Sequence, residues 1–407
     1  MREATVRHIE GIDPWLEELW DARGTDLLLS ADTPAMIRVD GHMRPVTGGV
    51  ELTPERVEEL VHEVIGEHLV ERFVEEREID FAFSWKDRAR LRCNAFHQRE
   101  TCSLALRMIP YEIPTFDELG LPNVVEQLVS LPMGFVVVTG PTGSGKSTSL
   151  AAMIDWINKN RQCHIVTIED PIEYVHRNHL SAVSQREVGS DTHYFHRALR
   201  SVLREDPDVL LVGEMRDLES IATAITIAET GHLVFATLHT NDSAQALDRI
   251  VDIFPSDRRD QIQVQLSAVL EGVIYQRLVR RKEGGLVAAY EVLTANHAVR
   301  NLVREGKTRQ LRNVITTHQS EGMQTLEMAL SKLVQDDVID YEEALGVSMF
   351  PKEVEKKMPD HFALAAAMTA GRSVDGAAGA GGAGDRDADG TTSAASDRGA
   401  PPRVSST

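Results

Sequence analysis

The chain is poor in cysteine, and the few cysteines it has are scattered. Among its 407 residues only Cys93, Cys102 and Cys163 are cysteines, and no two of them form a CxxC pair. An odd, sparse cysteine count argues against a disulfide framework and predicts a reducing compartment. Each thiol is therefore expected to be a small buried side chain.

Positive charge is also scarce. The chain carries 43 Lys and Arg against 63 Asp and Glu, which gives a formal net charge of −20 at pH 7. Proteins whose main task is to bind nucleic acid need clustered basic residues to neutralise phosphates. The composition therefore predicts no nucleic-acid partner.

Long apolar runs are missing as well. The first residues, MREATVRHIEG, lack the apolar segment of a signal peptide. No run approaches the roughly 20 apolar residues that a membrane-spanning helix needs. We therefore expect a cytoplasmic protein whose membrane contact, if it has any, is peripheral.

Composition divides the chain into three predicted parts. Residues 1–115 read as a small α+β domain, and residues 116–360 read as a larger α/β domain. Residues 361–407 are predicted to be a disordered tail, since from position 371 onward the chain has no aromatic residue and no Leu, Ile or Met. Such a segment cannot bury enough apolar area to offset the entropy lost on ordering.

In the first part, residues 27–46 predict short strands separated by turns, and IDFAFSW and RLRCNAF predict two strands of a meander. Thr53 is the expected N-cap of a helix whose apolar positions run with helical spacing to Leu69. Residues 51–80 carry eleven acidic side chains and three Arg. They predict a solvated helix face, and an acidic docking surface is the alternative.

In the second part, strand and helix patterns alternate. Buried strands are predicted at FVVVTG, HIVTIED, VLLVGE and HLVFATLHT, with helices between them. This alternation predicts βαβ units and a mostly parallel sheet covered on both faces. Beyond Asp242 the pattern is mainly helical to about residue 350, with a strand at LVAAYEVL.

The strongest motif is GPTGSGKST, which fits the phosphate-binding loop G-x-x-x-x-G-K-[ST] between a predicted strand and helix. Its glycines let backbone N–H groups wrap round phosphates, and the following helix points its positive end at them. Lys146 is expected to reach the β- and γ-phosphates of ATP, and Ser147 to ligate Mg²⁺. The predicted nucleotide-binding residues are Gly140, Pro141, Thr142, Gly143, Ser144, Gly145, Lys146, Ser147 and Thr148.

Two further strands of the predicted sheet end in carboxylates. In VLLVGE, Gly213 stands where an Asp is usual, so Glu214 is the candidate ligand of Mg²⁺ or of the attacking water. HIVTIED ends in Glu169 and Asp170, and either Glu169 or Glu214 could act as general base. The carboxyl ends of parallel strands share one edge of a sheet, where α/β ligand sites lie. Strand-end capping is the alternative role for both residues.

His232 and His239 flank the apolar strand LVFATL. A separation of seven positions along a regular strand places the two histidines on opposite faces, which argues against one shared metal ion. A hydrogen-bonded strand-end histidine is the simplest interpretation of each. His239 follows the carboxyl end of the strand and is therefore the better candidate for a γ-phosphate sensor.

Taken together, four motifs resemble the secretion ATPases of type IV pili and type II secretion. GPTGSGKST is similar to their Walker A motif, IVTIEDPIEYVH to their Asp box, LREDPDVLLVGEMRD to their atypical Walker B, and AETGHLVFATLHTN to their His box. The resemblance extends from Ile37 to Val347. It implies a PAS-like N-terminal domain, a RecA-like ATPase domain and a homo-hexameric ring using ATP and Mg²⁺.

Within this family the chain is most similar to the pilus retraction motors. HAVRNLVREGKTRQL resembles a segment associated with retraction, and the chain lacks the paired CxxC motif usual in assembly ATPases. QRLVRR is closer to secretion ATPases or to the accessory retraction paralogue. The resemblance implies twitching motility, an inner-membrane pilus platform protein as partner, and a related pilus ATPase as a second one. Assembly or type II secretion motors and, further off, a RecA-like DNA motor are the alternatives.

The resemblance also implies that arginines of the first domain complete the ATP site. Arg92 and Arg107 fall in the matching segment, as does Arg90. Arg92 and Arg107 are expected to stabilise charge on the transferred phosphoryl group, as an arginine finger does. Surface ion pairs worth little are the alternative.

Overall fold

The computed structural model describes residues 6–7, 9–39, 41–215 and 217–358. The predicted tail at 361–407 lies outside these residues. Among the described residues, no helix combines the length and the apolar composition that crossing a bilayer requires.

Seven strands of the first part form one mixed sheet, in the order β1-β5-β6-β7-β2-β3-β4. The elements in chain order are β1 Val6–Arg7, α1 Asp13–Asp21, β2 Asp26–Ser30, β3 Met36–Val39, β4 His42–Pro45, α2 Pro54–Ile65, α3 Glu67–Glu76, β5 Glu78–Trp85, β6 Ala89–Gln98 and β7 Thr101–Pro110. Strand β1 pairs with β5 in parallel, and the other pairs are antiparallel. The two predicted strands of a meander form as β5 and β6, and β7, which was not predicted, pairs with β6 to complete it.

The predicted helix after Thr53 forms, but it is two helices rather than one. The Thr53 hydroxyl accepts a hydrogen bond from the Arg56 N–H at 3.3 Å, with Pro54 in the first turn. Gly66 then has φ +76°, which ends α2 and starts α3. A left-handed φ is cheap only for glycine, so the apolar spacing that continued to Leu69 crosses a break in the backbone.

The second part contains the larger sheet and most of the helices. Its elements are α4 Phe116–Leu119, α5 Val124–Ser130, β8 Gly134–Thr139, α6 Lys146–Asn160, β9 His164–Glu169, β10 Ala182–Glu187, α7 Phe195–Val202, β11 Val209–Glu214, α8 Leu218–Glu229, β12 Leu233–Leu238, α9 Ser243–Asp252, α10 Arg259–Val269, β13 Leu270–Arg280, β14 Leu286–Thr294, α11 His297–Arg304, α12 Leu311–Thr317, α13 Leu326–Gln335, α14 Tyr341–Val347 and α15 Pro351–Lys357.

The strand order of this sheet is β10-β9-β11-β12-β8-β13-β14. All neighbours are parallel except β13 and β14. Strands β8 and β12 are buried along their whole length because helices cover both faces. The predicted, mostly parallel sheet is confirmed, and the carboxyl ends of its parallel strands lie along one edge.

Two strands of this larger sheet were not predicted. The sequence after Asp242 reads as helical until LVAAYEVL, yet residues 270–280 form β13, which starts directly after α10. A continuous apolar run does not distinguish a buried strand from a buried helix. Strand β10 is half-exposed at the sheet edge and carries the polar sequence AVSQRE, so it lacks the apolar signal of a core strand.

Each sheet has its own hydrophobic core. The first core draws on residues 9–108, and the second lies on both faces of the larger sheet. The α/β fold class is therefore as predicted. The domain limits at 115, 116 and 360 stay predictions.

Candidate nucleotide site

The phosphate-binding loop connects β8 to α6. Gly140, Gly143 and Gly145 have φ values of +152°, +76° and +84°. A Cβ at Gly140 would lie 2.3 Å from the Gln276 carbonyl oxygen on the neighbouring strand β13. Both the backbone conformation and the close approach of β13 thus require glycine, so the loop is held rigidly against the sheet.

The side chain of Ser144 gives a test of what this loop fits. Its hydroxyl is buried, and among the described residues it has no hydrogen-bond partner. A buried hydroxyl without a partner is costly unless a ligand supplies one. Phosphate oxygens, which accept hydrogen bonds, would satisfy both this hydroxyl and the loop N–H groups.

Lys146 begins α6 and turns its ammonium group back over the loop. Its Nζ donates to the carbonyl oxygens of Gly140, at 2.9 Å, and Pro141, at 3.0 Å, and lies 3.4 Å from His239 Nδ1. Burial lowers the pKa of Lys146, whereas the negative charges of Glu214 and Glu173 act to raise it. The lysine is therefore a partly desolvated cation at the phosphate position.

Glu214 and His239 come together at the carboxyl ends of β11 and β12. Their Oε2 and Nε2 atoms are 3.5 Å apart. With Nε2 protonated, His239 can face the Glu214 carboxylate while its Nδ1 accepts from Lys146. The three predicted residues thus form one polar chain beside the phosphate-binding loop.

Gly213, which replaces the usual Asp, lies at a bulge. The pairing of β11 with β12 shifts register between Val212 and Glu214. A Cβ at Gly213 would lie 3.1 Å from the Ile168 carbonyl oxygen and 3.3 Å from Glu169 Cα on β9. The bulge changes the direction of the strand end, so the carboxylate of this strand is supplied by Glu214, one residue after the position where an Asp is usual.

His232 lies at the opposite end of β12. Its Nδ1 is 2.9 Å from the Ile227 carbonyl oxygen and 3.1 Å from the Thr230 hydroxyl. These contacts tie the strand to the end of α8. The structure therefore makes His232 a hydrogen-bonded strand-start histidine and brings only His239 of the two to the loop.

Glu169 ends β9 with its carboxylate largely enclosed. It accepts hydrogen bonds from Thr167 Oγ1 at 2.6 Å, from Gln185 Nε2 at 3.3 Å and from the Glu173 N–H. Burial raises the pKa of Glu169 to about 7, and these hydrogen bonds only partly oppose that effect. Its ionisation is therefore balanced near neutral pH.

The loop after β9 contributes a carboxylate that the sequence reasoning missed. Glu173 lines the same pocket as Lys146, and Tyr174 OH lies 3.0 Å from Thr148 Oγ1 on α6. The prediction stopped at the end of the strand, although the acidic motif IVTIEDPIEYVH includes Glu173. Gln185 on β10 and Gln276 on β13 were also missed, because neither strand was predicted.

These parts line one pocket of about 850 Å³. Of the predicted residues it includes Pro141, Thr142, Gly143, Ser144, Gly145, Lys146, Ser147, Thr148, Glu169, Glu214 and His239. Gly140 is not among the residues that line it, but its carbonyl oxygen accepts a hydrogen bond from Lys146.

Arg92 and Arg107 lie elsewhere. They are cross-strand neighbours on β6 and β7, and they line a larger cleft of about 1480 Å³ whose other wall is formed by α6 and the loop after β9. This cleft adjoins the phosphate pocket, since Thr148 and Glu173 line both. Arg107 Nε is paired with Asp26 Oδ1 at 2.9 Å, and Arg90 lines neither cavity.

A glycine-rich loop between a buried parallel strand and a helix, with strand-end carboxylates beside its lysine, defines a P-loop nucleotide hydrolase. Residues 37–327 match the family described as type II/IV secretion system protein. The chain belongs to this family and is an ATPase of the PilT type.

Individual relatives agree with this assignment. The chain is 47% identical to the type IV pilus retraction ATPase PilT of Pseudomonas aeruginosa over 81% of its length and 95% of the relative. It is 43% identical to the type IV pilus ATPase PilU of the same species, over 79% of this chain and 85% of that one.

A solved structure matches as well. The crystal structure of the pilus retraction motor PilT with bound ADP has a TM-score of 0.78 and 45% identity, covering 86% of this chain and all of that one. The predicted fold, a smaller N-terminal domain followed along the chain by a RecA-like ATPase domain, is confirmed. Nucleotide binding is confirmed as well. The roles of single residues stay predictions.

Proposed function

We propose that this chain is the ATP-hydrolysing motor of type IV pilus retraction. It works as a homo-hexamer at the inner face of the cytoplasmic membrane and acts on a pilus platform protein, with a related pilus ATPase as second partner. The similarity to PilT over most of both chains supports the process. The acidic composition supports a protein partner rather than nucleic acid.

The contacts that join Lys146, His239 and Glu214 support this proposal, because they link the phosphate position to the ends of strands β11 and β12. Lys146 binds the β- and γ-phosphates, and Glu214 orients the attacking water. His239 contacts both residues, so loss of the γ-phosphate changes what it can bond to. A change at the end of β12 is passed directly to α9, whose N-cap is Asp242.

The residues present suit Mg²⁺. The Ser147 hydroxyl starts α6 and lines the same pocket as the Glu214 carboxylate, and both are hard oxygen ligands. The metal, when bound, neutralises charge on the phosphates. Arg92 and Arg107 would add positive charge from the first domain once the cleft closes.

The test is genetic and biochemical together. Lys146→Ala and Glu214→Ala should each abolish ATP hydrolysis by the purified chain, and a strain carrying either should keep surface pili but lose retraction. Light scattering should show that both variants still form hexamers. Wild-type hydrolysis by both variants would contradict the site assignment, and absent pili would indicate an assembly motor.

The similarity to PilU favours a second candidate, an accessory retraction ATPase. QRLVRR, in β13, fits that paralogue and the secretion ATPases better. A hexamer that hydrolyses ATP but restores retraction only when a second retraction ATPase is present would support this alternative. Stimulation of hydrolysis by DNA would instead favour a DNA motor.

A further inference from the structure

Gln185, on the edge strand β10, lies at the centre of a hydrogen-bond network next to the nucleotide pocket. Its Nε2 donates to the Tyr174 carbonyl oxygen at 2.8 Å and to Glu169 Oε1 at 3.3 Å. Its Oε1 accepts from the His176 N–H at 2.7 Å. The Gln185 side-chain amide therefore uses both its donor and its acceptor groups to hold three residues within 169–176.

The network fixes the loop that carries Glu173. Glu169 in turn accepts a hydrogen bond from the Glu173 N–H, and Glu187, two residues along β10, accepts from the Ile172 N–H at 3.1 Å. Side chains two apart share one face of a strand, so Gln185 and Glu187 anchor the loop from the same side. The loop has no helix or strand of its own between β9 and β10.

The position of this loop matters for catalysis because Glu173 faces the phosphate pocket. Glu173 lines that pocket and acts electrostatically on both Lys146 and Glu169. A shift of about 1 Å in a group beside the reacting atoms can cost on the order of a hundredfold in rate. The loop's anchor should therefore control turnover more than nucleotide affinity, which the phosphate-binding loop supplies.

We infer that Gln185 is a positioning residue for ATP hydrolysis, which holds the segment 170–176 so that Glu169 and Glu173 keep their places beside the phosphate-binding loop. The inference rests on the ATPase activity of the chain. It is independent of the pilus step that the motor drives.

Only an amide can play this part at every pH. The position needs a donor toward two oxygens and an acceptor for one N–H, and a carboxylate offers acceptors alone. Glu169 is the titratable side chain in contact with Gln185, whereas Tyr174 and His176 meet it through backbone atoms. Glu187 shares its face of β10, so a carboxylate at position 185 would be repelled by Glu169 and would stand beside a second acidic residue. When protonated, however, a carboxylic acid regains one donor.

The experiment compares Gln185→Glu and Gln185→Ala with Ser184→Ala in the full chain. Ser184 precedes Gln185 on the same strand but contacts His164 Nε2, at 3.0 Å and away from the loop. Steady-state hydrolysis gives kcat and KM for ATP from about pH 6 to 9, fluorescent ADP titration gives affinity, and thermal melts confirm folding.

We expect Gln185→Glu to lose about tenfold or more in kcat near pH 8, with KM and ADP affinity within about twofold of wild type. Lowering the pH should recover part of this loss relative to wild type, because the acid form can again donate. Gln185→Ala should lose kcat without any recovery, and Ser184→Ala should stay within about twofold of wild type.

The inference is overturned if folded Gln185→Glu and Gln185→Ala turn over like wild type. It is also overturned if affinity falls as much as kcat, or if both variants lose activity equally at all pH values. A wild-type chain that binds ADP but does not hydrolyse ATP would instead contradict the ATPase activity on which the inference rests.

Discussion

At the scale of single residues, burial sets the charges of the site. Glu169 has a pKa of about 7 because its carboxylate is desolvated, although three donors favour the ionised form. Lys146 is lowered in pKa by burial and held charged by nearby carboxylates. Perturbed ionisable groups of this kind cluster at functional sites, and these two share one pocket.

The pKa of Glu169 predicts the pH dependence of turnover. Below about pH 7 its carboxyl is protonated and accepts less strongly from its three donors, one of which is the Glu173 N–H of the following loop. We therefore expect kcat to fall as pH drops through about 7. Measured over pH 5.5–9, this acid limb should be absent in folded Glu169→Gln, and an unchanged limb would assign it to another group.

His176 predicts a pH dependence of stability. Burial lowers its pKa from 6.5 to about 4, so the folded protein holds it neutral. Below pH 6.5 the unfolded chain takes up a proton at His176 that the folded chain does not, so this group contributes nothing to stability above pH 6.5 and a growing penalty as pH falls toward 4. The penalty is about 3 kcal/mol at most.

Replacing His176 with Leu should remove this dependence. Denaturant unfolding of wild type and His176→Leu at several pH values should show the free-energy difference shifting in favour of the variant as pH falls from 6.5 to 4. His179, which is exposed, gives a control when replaced by Leu. A constant difference between the two proteins across this range would contradict the assignment.

At the scale of elements, the sequence predicts what is periodic or strongly apolar. Strands β8, β9, β11 and β12 and the helices between them follow from their patterns, and so does the phosphate-binding loop. Strand β13 is missed because a buried apolar run has no period, and β10 because an edge strand needs few apolar residues. Gln185 and Gln276, the site residues on those two strands, were therefore not predicted either.

Glu173 is missed for a different reason. It belongs to a loop whose shape depends on hydrogen bonds to Glu169 and β10, and such tertiary contacts leave no local pattern. Lys146, Glu214 and His239 are found because each is fixed at the end of a regular element. The edge of a parallel sheet brings such residues together without further information.

The bulge at Gly213 gives a prediction for an element. In Gly213→Ala the new Cβ would press on β9 at 3.1 and 3.3 Å, so β9 and β11 must separate by a few tenths of an ångström. Both strands end in carboxylates of the site. We expect a melting temperature lower by a few degrees and kcat reduced by about tenfold.

Gly346→Ala is the matched control for this change. Gly346 lies in helix α14, and a Cβ there meets nothing within 4 Å. Alanine in a helix should leave kcat unchanged and hold or raise the melting temperature. If Gly213→Ala behaves like Gly346→Ala, the close contact between the two strands does not constrain the site.

At the scale of the whole molecule, the cleft that adjoins the phosphate pocket lies between the first sheet and, on the other side, helix α6 with the loop after β9. The first-domain side of this cleft carries four arginines beside two aspartates, although the chain as a whole is strongly acidic: Arg23, Arg38, Arg92, Arg107, Asp21 and Asp26. Such local charge, set against a net charge of −20, favours an anionic ligand in the cleft.

This geometry predicts unequal roles for three arginines of the first domain. Arg92→Gln and Arg107→Gln should each lower kcat for ATP by about tenfold or more, because on the proposed mechanism these side chains stabilise charge on the transferred phosphoryl group. Arg90→Gln should stay near wild type, since Arg90 lines neither cavity although it lies on the same strand as Arg92. Arg107 is already paired with Asp26, so its loss should have the smaller effect.

ATPase assays give kcat for the three variants, and light scattering confirms that the variants assemble equally. Equal losses in all three variants would show that these charges act on folding or assembly rather than on the reaction.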